Sequence, residues 1–128
     1  MKATCFEELD IWRIARELTN RIYLVTKQNG FAGDFELKRQ VRRSSVSVMS
    51  NIAEGHERNG NPEFIQFLYI AKGSCGEARS QFYIAYDNGY ISQTDFEQVI
   101  QLCKTLSVKI SNLIAYLKNS GLKGSKYK

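Results

Sequence analysis

Several residue types are scarce in this chain of 128 residues, which has one histidine, one proline and three cysteines. The odd number of cysteines, at the scattered positions Cys5, Cys75 and Cys103, argues against a disulfide framework and favours reduced thiols in a cytoplasmic protein. No apolar run approaches the length of about 18 residues that a membrane-spanning helix needs, and no stretch alternates long enough to predict a strand. The first residues turn acidic at once, so we expect no secretory signal.

Side chains suited to catalysis or metal binding are also few. His56, the only histidine, lies in a polar run with no cysteine nearby, which argues against a nucleophile–base pair. No cysteine or histidine spacing is typical of zinc, and the segment GSCGE lacks the lysine and the preceding strand of a phosphate loop. A metal site in a helical bundle usually adds histidine to carboxylates such as Glu54 and Glu77. We therefore expect no cofactor, no metal and no enzyme activity, with an enzyme that uses Glu54 as the weakest alternative.

Apolar residues recur at helical spacing in four segments, in steps of three or four residues. The four sets are Ile11, Ala15, Leu18, Ile22 and Val25; Leu37, Val41, Ser45, Val48 and Ile52; Phe64, Leu68, Ala71, Cys75, Ala78, Phe82 and Ala85; and Phe96, Val99, Cys103, Leu106, Ile110, Leu113 and Leu117. Helices of about 22–27 residues with short connections predict an all-α fold, an up-down-up-down antiparallel four-helix bundle.

Residues that begin or end helices separate these segments. Residues 29–33 contain two glycines and predict a connection, after which Asp34 caps the second helix. Gly55 and the polar run behind it are expected to end that helix. Asn61 is the predicted N-cap of the third helix, followed by Pro62 at the first helical position.

The fourth helix and the end of the chain follow the same logic. Asn88–Gly89 ends the third helix, and Thr94 with Glu97 predicts a capping box for the fourth. Asn119–Gly121 is expected to end the fourth helix. We therefore expect residues 1–121 to form the bundle and residues 122–128 to form a flexible basic tail.

The net charge of +5 is concentrated near the end of the chain, because Lys118, Lys123, Lys126 and Lys128 supply four of the five excess charges. On the second helix, Arg39 and Arg43 lie one turn apart on the polar half. Basic residues gathered in this way predict contacts with phosphates. The expected nucleic-acid-binding residues are Lys38, Arg39, Arg43, Lys123, Lys126 and Lys128. The alternative is that these are ordinary solvated charges, with Arg39 within reach of Glu36.

The third helix carries more apolar surface than one core needs. Ile70, Gly73 and Ile84 lie nearly opposite its core sector, with Glu77 among them. Such a patch predicts a second buried surface, which in so small a chain favours self-association. The alternative is a thick core with scattered apolar residues on the surface. Gly73 and Gly76 each cost about 1 kcal/mol in a helix, which a close approach between helices would explain.

A polar cluster is expected beside these apolar sectors. Arg42 falls inside the widened apolar sector of the second helix, so it either reaches out to water or pairs with a carboxylate, with Glu54 or Glu77 as candidates. The set predicted to form a structural polar cluster or a subunit interface is Arg42, Asn51, Glu54, Gly73, Ser74 and Glu77.

The motifs of the chain resemble the four-helix-bundle family of proteins encoded in intervening sequences of bacterial 23S ribosomal RNA genes. The matching stretches are Phe6, Leu9 and Trp12 in the opening, QVRRSSVSV at residues 40–48, NIAEG at residues 51–55, FLYIAKGSCGE at residues 67–77 and Gly89–Ile91. The resemblance implies a four-helix bundle that assembles as a ring-like homo-oligomer, most simply a pentamer. Some relatives look like the accessory protein of diversity-generating retroelements, which works with a reverse transcriptase and nucleic acid.

From the residues and the resemblance together, we expect a non-enzymatic, cytoplasmic homo-oligomer that binds RNA or DNA without sequence specificity. The alternative is a protein-interaction scaffold whose ring recruits a partner such as a reverse transcriptase. No membrane contact is expected.

Overall fold

The computed structural model of the protein describes residues 3–122, so residues 123–128 of the predicted basic tail, with Lys123, Lys126 and Lys128, lie outside the described residues. A short 3-10 helix at Phe6–Glu8 precedes five α-helices. They are α1 (Asp10–Val25), α2 (Asn29–Gly33), α3 (Phe35–Glu57), α4 (Asn61–Asp87) and α5 (Gln93–Leu122). The described part of the chain contains no strand. The predicted all-α class is confirmed.

The four long helices form an up-down-up-down bundle. In cross-section, α1 packs against α3 and α5, and α4 packs against the same two helices. Helices α3 and α5 are therefore diagonal to each other, as are α1 and α4. Neighbours in sequence are neighbours in space because the connections are too short for any other route. None of the helices within residues 3–122 has the length and apolar character needed to cross a membrane.

The core consists of the residues that the helical periodicity selects. Every member of the first three predicted sets is buried, and the fourth set departs only at Phe96 and Leu113, which are half-buried. Ile100 and Ile114 of α5 are buried as well. The apolar stripe of α5 is therefore wider than predicted, as befits a helix that packs against both α1 and α4.

The first connection is more ordered than predicted. It contains the short helix α2, whose Phe31 is fully buried and packs edge-on against Phe82, with ring centres 5.8 Å apart. The ring of Tyr90 lies 5.6 Å from Phe31, and the Tyr90 hydroxyl donates a hydrogen bond of 2.9 Å to Asp34 Oδ2. As predicted, Asp34 caps α3, since its Oδ1 accepts from the amide of Leu37 at 3.1 Å. These contacts close one end of the bundle.

The polar run after Gly55 ends α3 as predicted, but Gly55 itself does not, because the helix continues through it to Glu57. Gly55 instead lies where α3 packs tightly against α4. A Cβ atom at this position would lie 2.7 Å from Cβ of Phe67 and 2.9 Å from the ring of Phe64. The glycine therefore serves helix packing, and the polar residues after it form the turn.

Two predicted caps are also corrected. Gly60 is the N-cap of α4, while the amide group of Asn61 is buried and donates to the carbonyl of Leu117 at 3.1 Å. Asn61 thus ties the start of α4 to α5 rather than capping its own helix. For α5, Ser92 Oγ rather than Thr94 accepts from the backbone, namely from the amide of Asp95 at 3.1 Å.

The remaining helix boundaries agree with the sequence prediction at Gly89 and differ from it at the end of α5. Gly89 has a φ of +72°, which confirms that it ends α4 in the left-handed conformation. Helix α5 continues to Leu122, past the predicted end at Asn119–Gly121. The long helices have 16, 23, 27 and 30 residues, so α1 is shorter and α5 longer than expected.

Candidate nucleic-acid interface

An open groove of about 540 Å³ lies between the C-terminal end of α1 and the N-terminal half of α3. Its lining joins the three predicted residues of α3, Lys38, Arg39 and Arg43, to a fourth cation, Arg42. The other lining residues are Tyr23, Phe35 and Val46. No acidic residue lines this groove among the residues that the structure describes. We call it the basic groove.

Helical spacing explains why these side chains meet. Phe35 opens α3 directly after its cap, and the basic residues stand three, four, seven and eight positions after it, which places them along one stripe of the helix. The stripe borders the face that packs on α1, so Tyr23 of α1 can complete the groove. The charge is therefore concentrated by the packing of two helices.

Arg42 has different partners from those predicted. Its Nε donates to Thr26 Oγ1 at 2.9 Å, and its guanidinium lies over the ring of Tyr23, 4.3 Å from the ring centre. Within the described chain it pairs with neither Glu54 nor Glu77, because it faces α1 rather than α4. The side chain is half-buried and held in place, which suits it to bind an anion without a large loss of conformational freedom.

The acidic residue nearest in sequence to these cations does not neutralise them. Glu36, which could have paired with Arg39, accepts a hydrogen bond of 3.1 Å from Gln40 Nε2 instead. Both Arg39 and Arg43 are exposed. Positive charge concentrated in a concave surface raises the local concentration of anions, so the groove favours polyanionic ligands.

A second basic groove, of about 440 Å³, runs along α1 and was not predicted from the sequence. Arg13, Arg16 and Arg21 line it, together with Glu17, Asn20 and Leu24. Two of these arginines already form hydrogen bonds within the chain, since Arg13 Nε donates to the carbonyl of Glu7 and Arg21 donates to Gln98. The signal was present in the sequence, because three arginines fall on one face of the first helix.

The predicted polar cluster is brought together only in part. Ser74 of α4 shares a hydrogen bond of 2.8 Å with Ser47 of α3, and Asn51 Nδ2 donates to the carbonyl and hydroxyl oxygens of Ser47. Glu54 lies apart and forms an exposed ion pair of 2.9 Å with Arg58. Ser47 is the central member that the prediction lacked. The cluster fixes the register of α3 against α4.

Glu77 lies on the neighbouring surface and is exposed. It lines a groove of about 440 Å³ with residues of α3 and α4, among them Arg43 and Gln81. Gln81 Oε1 accepts a hydrogen bond of 3.0 Å from the hydroxyl of Ser44. This polar groove borders the basic groove, because Arg43 lines both.

The outer face of α4 carries the apolar surface expected from the sequence. Ile70 and Ile84 are each 49% exposed, and Gly73 lies exposed between them. A Cβ atom at Gly73 or Gly76 would have no neighbour within 4 Å. Packing within the chain therefore does not explain either glycine.

His56 has a place in the packing between α3 and the start of the chain. Its Nε2 lies 3.4 Å from the carbonyl oxygen of Ala3, and its ring stands edge-on to Phe64 with centres 5.8 Å apart. Within residues 3–122, no three histidine, cysteine or acidic side chains come together as metal ligands would.

The fold and the groove define a class: a helical bundle with a basic, aromatic-lined groove between two of its helices. The chain belongs to the 23S rRNA-intervening sequence protein family, whose model matches residues 7–112. It is also similar to the crystal structure of a protein of unknown function from the S23 ribosomal protein family of Bacteroides thetaiotaomicron VPI-5482. That likeness has a TM-score of 0.75 and 21% sequence identity, covers 82% of this chain and 95% of the other, and bears on the fold alone. Comparison with curated proteins gave no match.

Proposed function

We propose that this protein binds RNA or DNA without sequence specificity, as a homo-oligomer and without catalysing a reaction. The observation that carries the proposal is the basic groove, where four cationic side chains and two exposed aromatic rings line one surface that contains no carboxylate. Cations that contact phosphates give affinity for any sequence. Aromatic rings add contacts to bases that are also tolerant of sequence.

The rest of the sequence carries further positive charge that can bind phosphates. Lys123, Lys126 and Lys128 supply further positive charge in sequence behind α5. In a homo-oligomer each copy contributes its own groove, so a modest charge per chain becomes a large number of phosphate contacts per assembly.

Binding should be tight at low salt and weak at high salt. We expect the affinity for an RNA or DNA strand to fall by about a hundredfold or more between about 50 and 200 mM salt, because bound phosphates release counterions. Fluorescence anisotropy of a labelled oligonucleotide, titrated with the full chain at both salt concentrations, measures this. Absence of binding at the lower concentration would refute the proposal.

For the assembly we propose a ring-like pentamer. The exposed apolar face of α4 and its two unexplained glycines support contact with another copy. The number of subunits is what the family resemblance implies. Light scattering on a sizing column should give the mass of a pentamer of the 14.7 kDa chain at micromolar concentration, and the mass of a single chain would overturn the assembly proposal.

A binding role in the cytoplasm agrees with the surroundings of Glu54, His56 and the cysteines. Glu54 is engaged at the surface by Arg58, and His56 lies against Phe64. The three cysteines are free, and the thiol of buried Cys75 donates to the carbonyl of Cys103 at 3.3 Å. Cysteines that form no disulfide are typical of a reducing compartment.

A protein-interaction scaffold is the second candidate, with a reverse transcriptase as one possible kind of partner. An aromatic cluster at the end of α4 favours it: the ring of Phe96 stacks on Tyr86, with centres 4.4 Å apart, and stands edge-on to Tyr83 at 5.1 Å. Both tyrosines are exposed. An intact assembly that fails to bind nucleic acid at low salt would favour this candidate.

A further inference from the structure

The basic groove contains an aromatic ring that the packing of the bundle does not require. Phe35 is 69% exposed, although it stands only four residues after the fully buried Phe31. An exposed apolar ring contributes little burial to the stability of the fold, and any smaller polar residue could follow the Asp34 cap as the first residue of α3. Tyr23, on the α1 side of the same groove, is 37% exposed.

Each ring is accompanied by a cation. The ammonium group of Lys38 lies 5.1 Å from the centre of the Phe35 ring, and the guanidinium of Arg42 lies 4.3 Å from the centre of the Tyr23 ring. Cation–π contacts of this kind hold each charged group over one face of its ring. A charge for a phosphate and an exposed aromatic ring for a base are therefore presented together, twice, in one groove.

The second of these pairs is the more rigid. Thr26 Oγ1 accepts from Arg42 Nε at 2.9 Å, while the threonine hydroxyl itself donates to the carbonyl of Ile22 at 2.7 Å. Thr26 is fully buried, so this hydrogen-bonded chain anchors Arg42 to α1. A ligand that binds here loses little free energy to the ordering of side chains.

We propose that the basic groove selects unpaired strands over duplexes, by stacking nucleobases on Phe35 and Tyr23 while the neighbouring cations hold the phosphates. This inference rests on the proposed function and narrows its ligand. Bases in a duplex already stack on one another, so the rings can reach them only by unstacking a step, which costs free energy. The cations serve both kinds of ligand, whereas the rings add affinity for unpaired bases alone.

The test uses the full chain and labelled probes of about 20 nucleotides, as single strands of oligo(dT) and oligo(U) and as mixed-sequence DNA and RNA duplexes. Polyglutamate of similar length serves as a competitor that has charge but no bases. At about 50 mM salt we expect the single strands to bind at least about tenfold more tightly than the duplexes. The DNA and RNA arms show which sugar the groove accepts.

The variant Phe35→Leu separates stacking from charge, because leucine keeps an apolar side chain and removes the flat ring. We expect about a tenfold loss of affinity for single strands and no change for duplexes. Tyr116→Leu is the matched control, since Tyr116 is an exposed aromatic residue of α5, diagonal to α3. Phe35 is exposed, so the variant should fold, which circular dichroism verifies.

The outcomes distinguish this inference from the function beneath it. Equal affinity for single strands and duplexes, unchanged in Phe35→Leu, would overturn the selection of unpaired strands and leave nucleic-acid binding standing. Polyglutamate that competes as well as a single strand of the same charge would also overturn it. If neither nucleic acid binds at low salt, both the inference and the proposed function fail.

Discussion

The double substitution Arg39→Glu/Arg43→Glu should lower the affinity for nucleic acid by about a hundredfold or more at low salt. The two arginines are exposed, lie one turn apart in the basic groove, and have no acidic neighbour in its lining. Glutamates in their place remove two phosphate contacts from each chain and add two charges that repel phosphate. In an oligomer the loss recurs in every copy, so it should exceed the effect of a single site.

The same titration gives a second measure of this prediction. Each lost phosphate contact makes the dependence of log K on log salt shallower by about 0.7 for a single strand, so the variant should lose between about one and two units of slope per chain. A fall in affinity with an unchanged slope would mean that the substitutions act through the structure rather than through phosphate contacts.

A matched control separates the groove from net charge. Lys104→Glu/Lys118→Glu makes the same change in charge at exposed positions on α5, the helix diagonal to α3. We expect this control to weaken binding by only a few fold, through the general field of the protein. If the two double variants weaken binding equally, the basic groove is not the interface.

The sequence was sufficient to predict the bundle and much of its core. Helical periodicity selects residues by the face they occupy, and a face such as that of Ile11, Ala15 and Leu18 must be buried wherever the helix packs. The cations of α3 could be predicted for the same reason, because Arg39 and Arg43 share a face whatever the neighbouring helix is. Predictions of this kind use the sequence of a single helix and do not depend on how the helices pack.

What the sequence could not supply are contacts between helices. Tyr23 reaches the basic groove only because α1 packs beside α3, and Arg42 meets Thr26 instead of a carboxylate for the same reason. The burial of Phe31 depends on Phe82 and Tyr90, which are far away in sequence. The boundary residues failed likewise, since Gly55 looks like the end of a helix until Phe67 is placed against it.

Gly55→Ala should destabilise the fold by about 2 kcal/mol, although alanine favours helices. The new methyl group would lie 2.7 Å from Cβ of Phe67, an atom attached directly to the backbone of α4, so the two helices would have to move apart. A fall in the melting temperature of about 8 °C corresponds to this loss for a domain of this size. Urea and thermal unfolding followed by circular dichroism measure it, and an unchanged or higher stability would show that the α3–α4 contact can relax.

Gly73→Ala makes the same substitution in the middle of α4 and should have the opposite effect on the isolated chain. Apart from the local backbone of α4, no atom of the described residues lies within 4 Å of the added methyl group, so the gain in helix propensity, up to about 1 kcal/mol, is unopposed by packing within the chain. If a second copy packs closely on the face that holds Ile70 and Ile84, the methyl group instead holds the helices apart and lowers the mass seen by light scattering at low concentration. We expect a helical, folded variant with weakened assembly. A variant that is more stable and assembles as before would place the contact between copies elsewhere on the bundle.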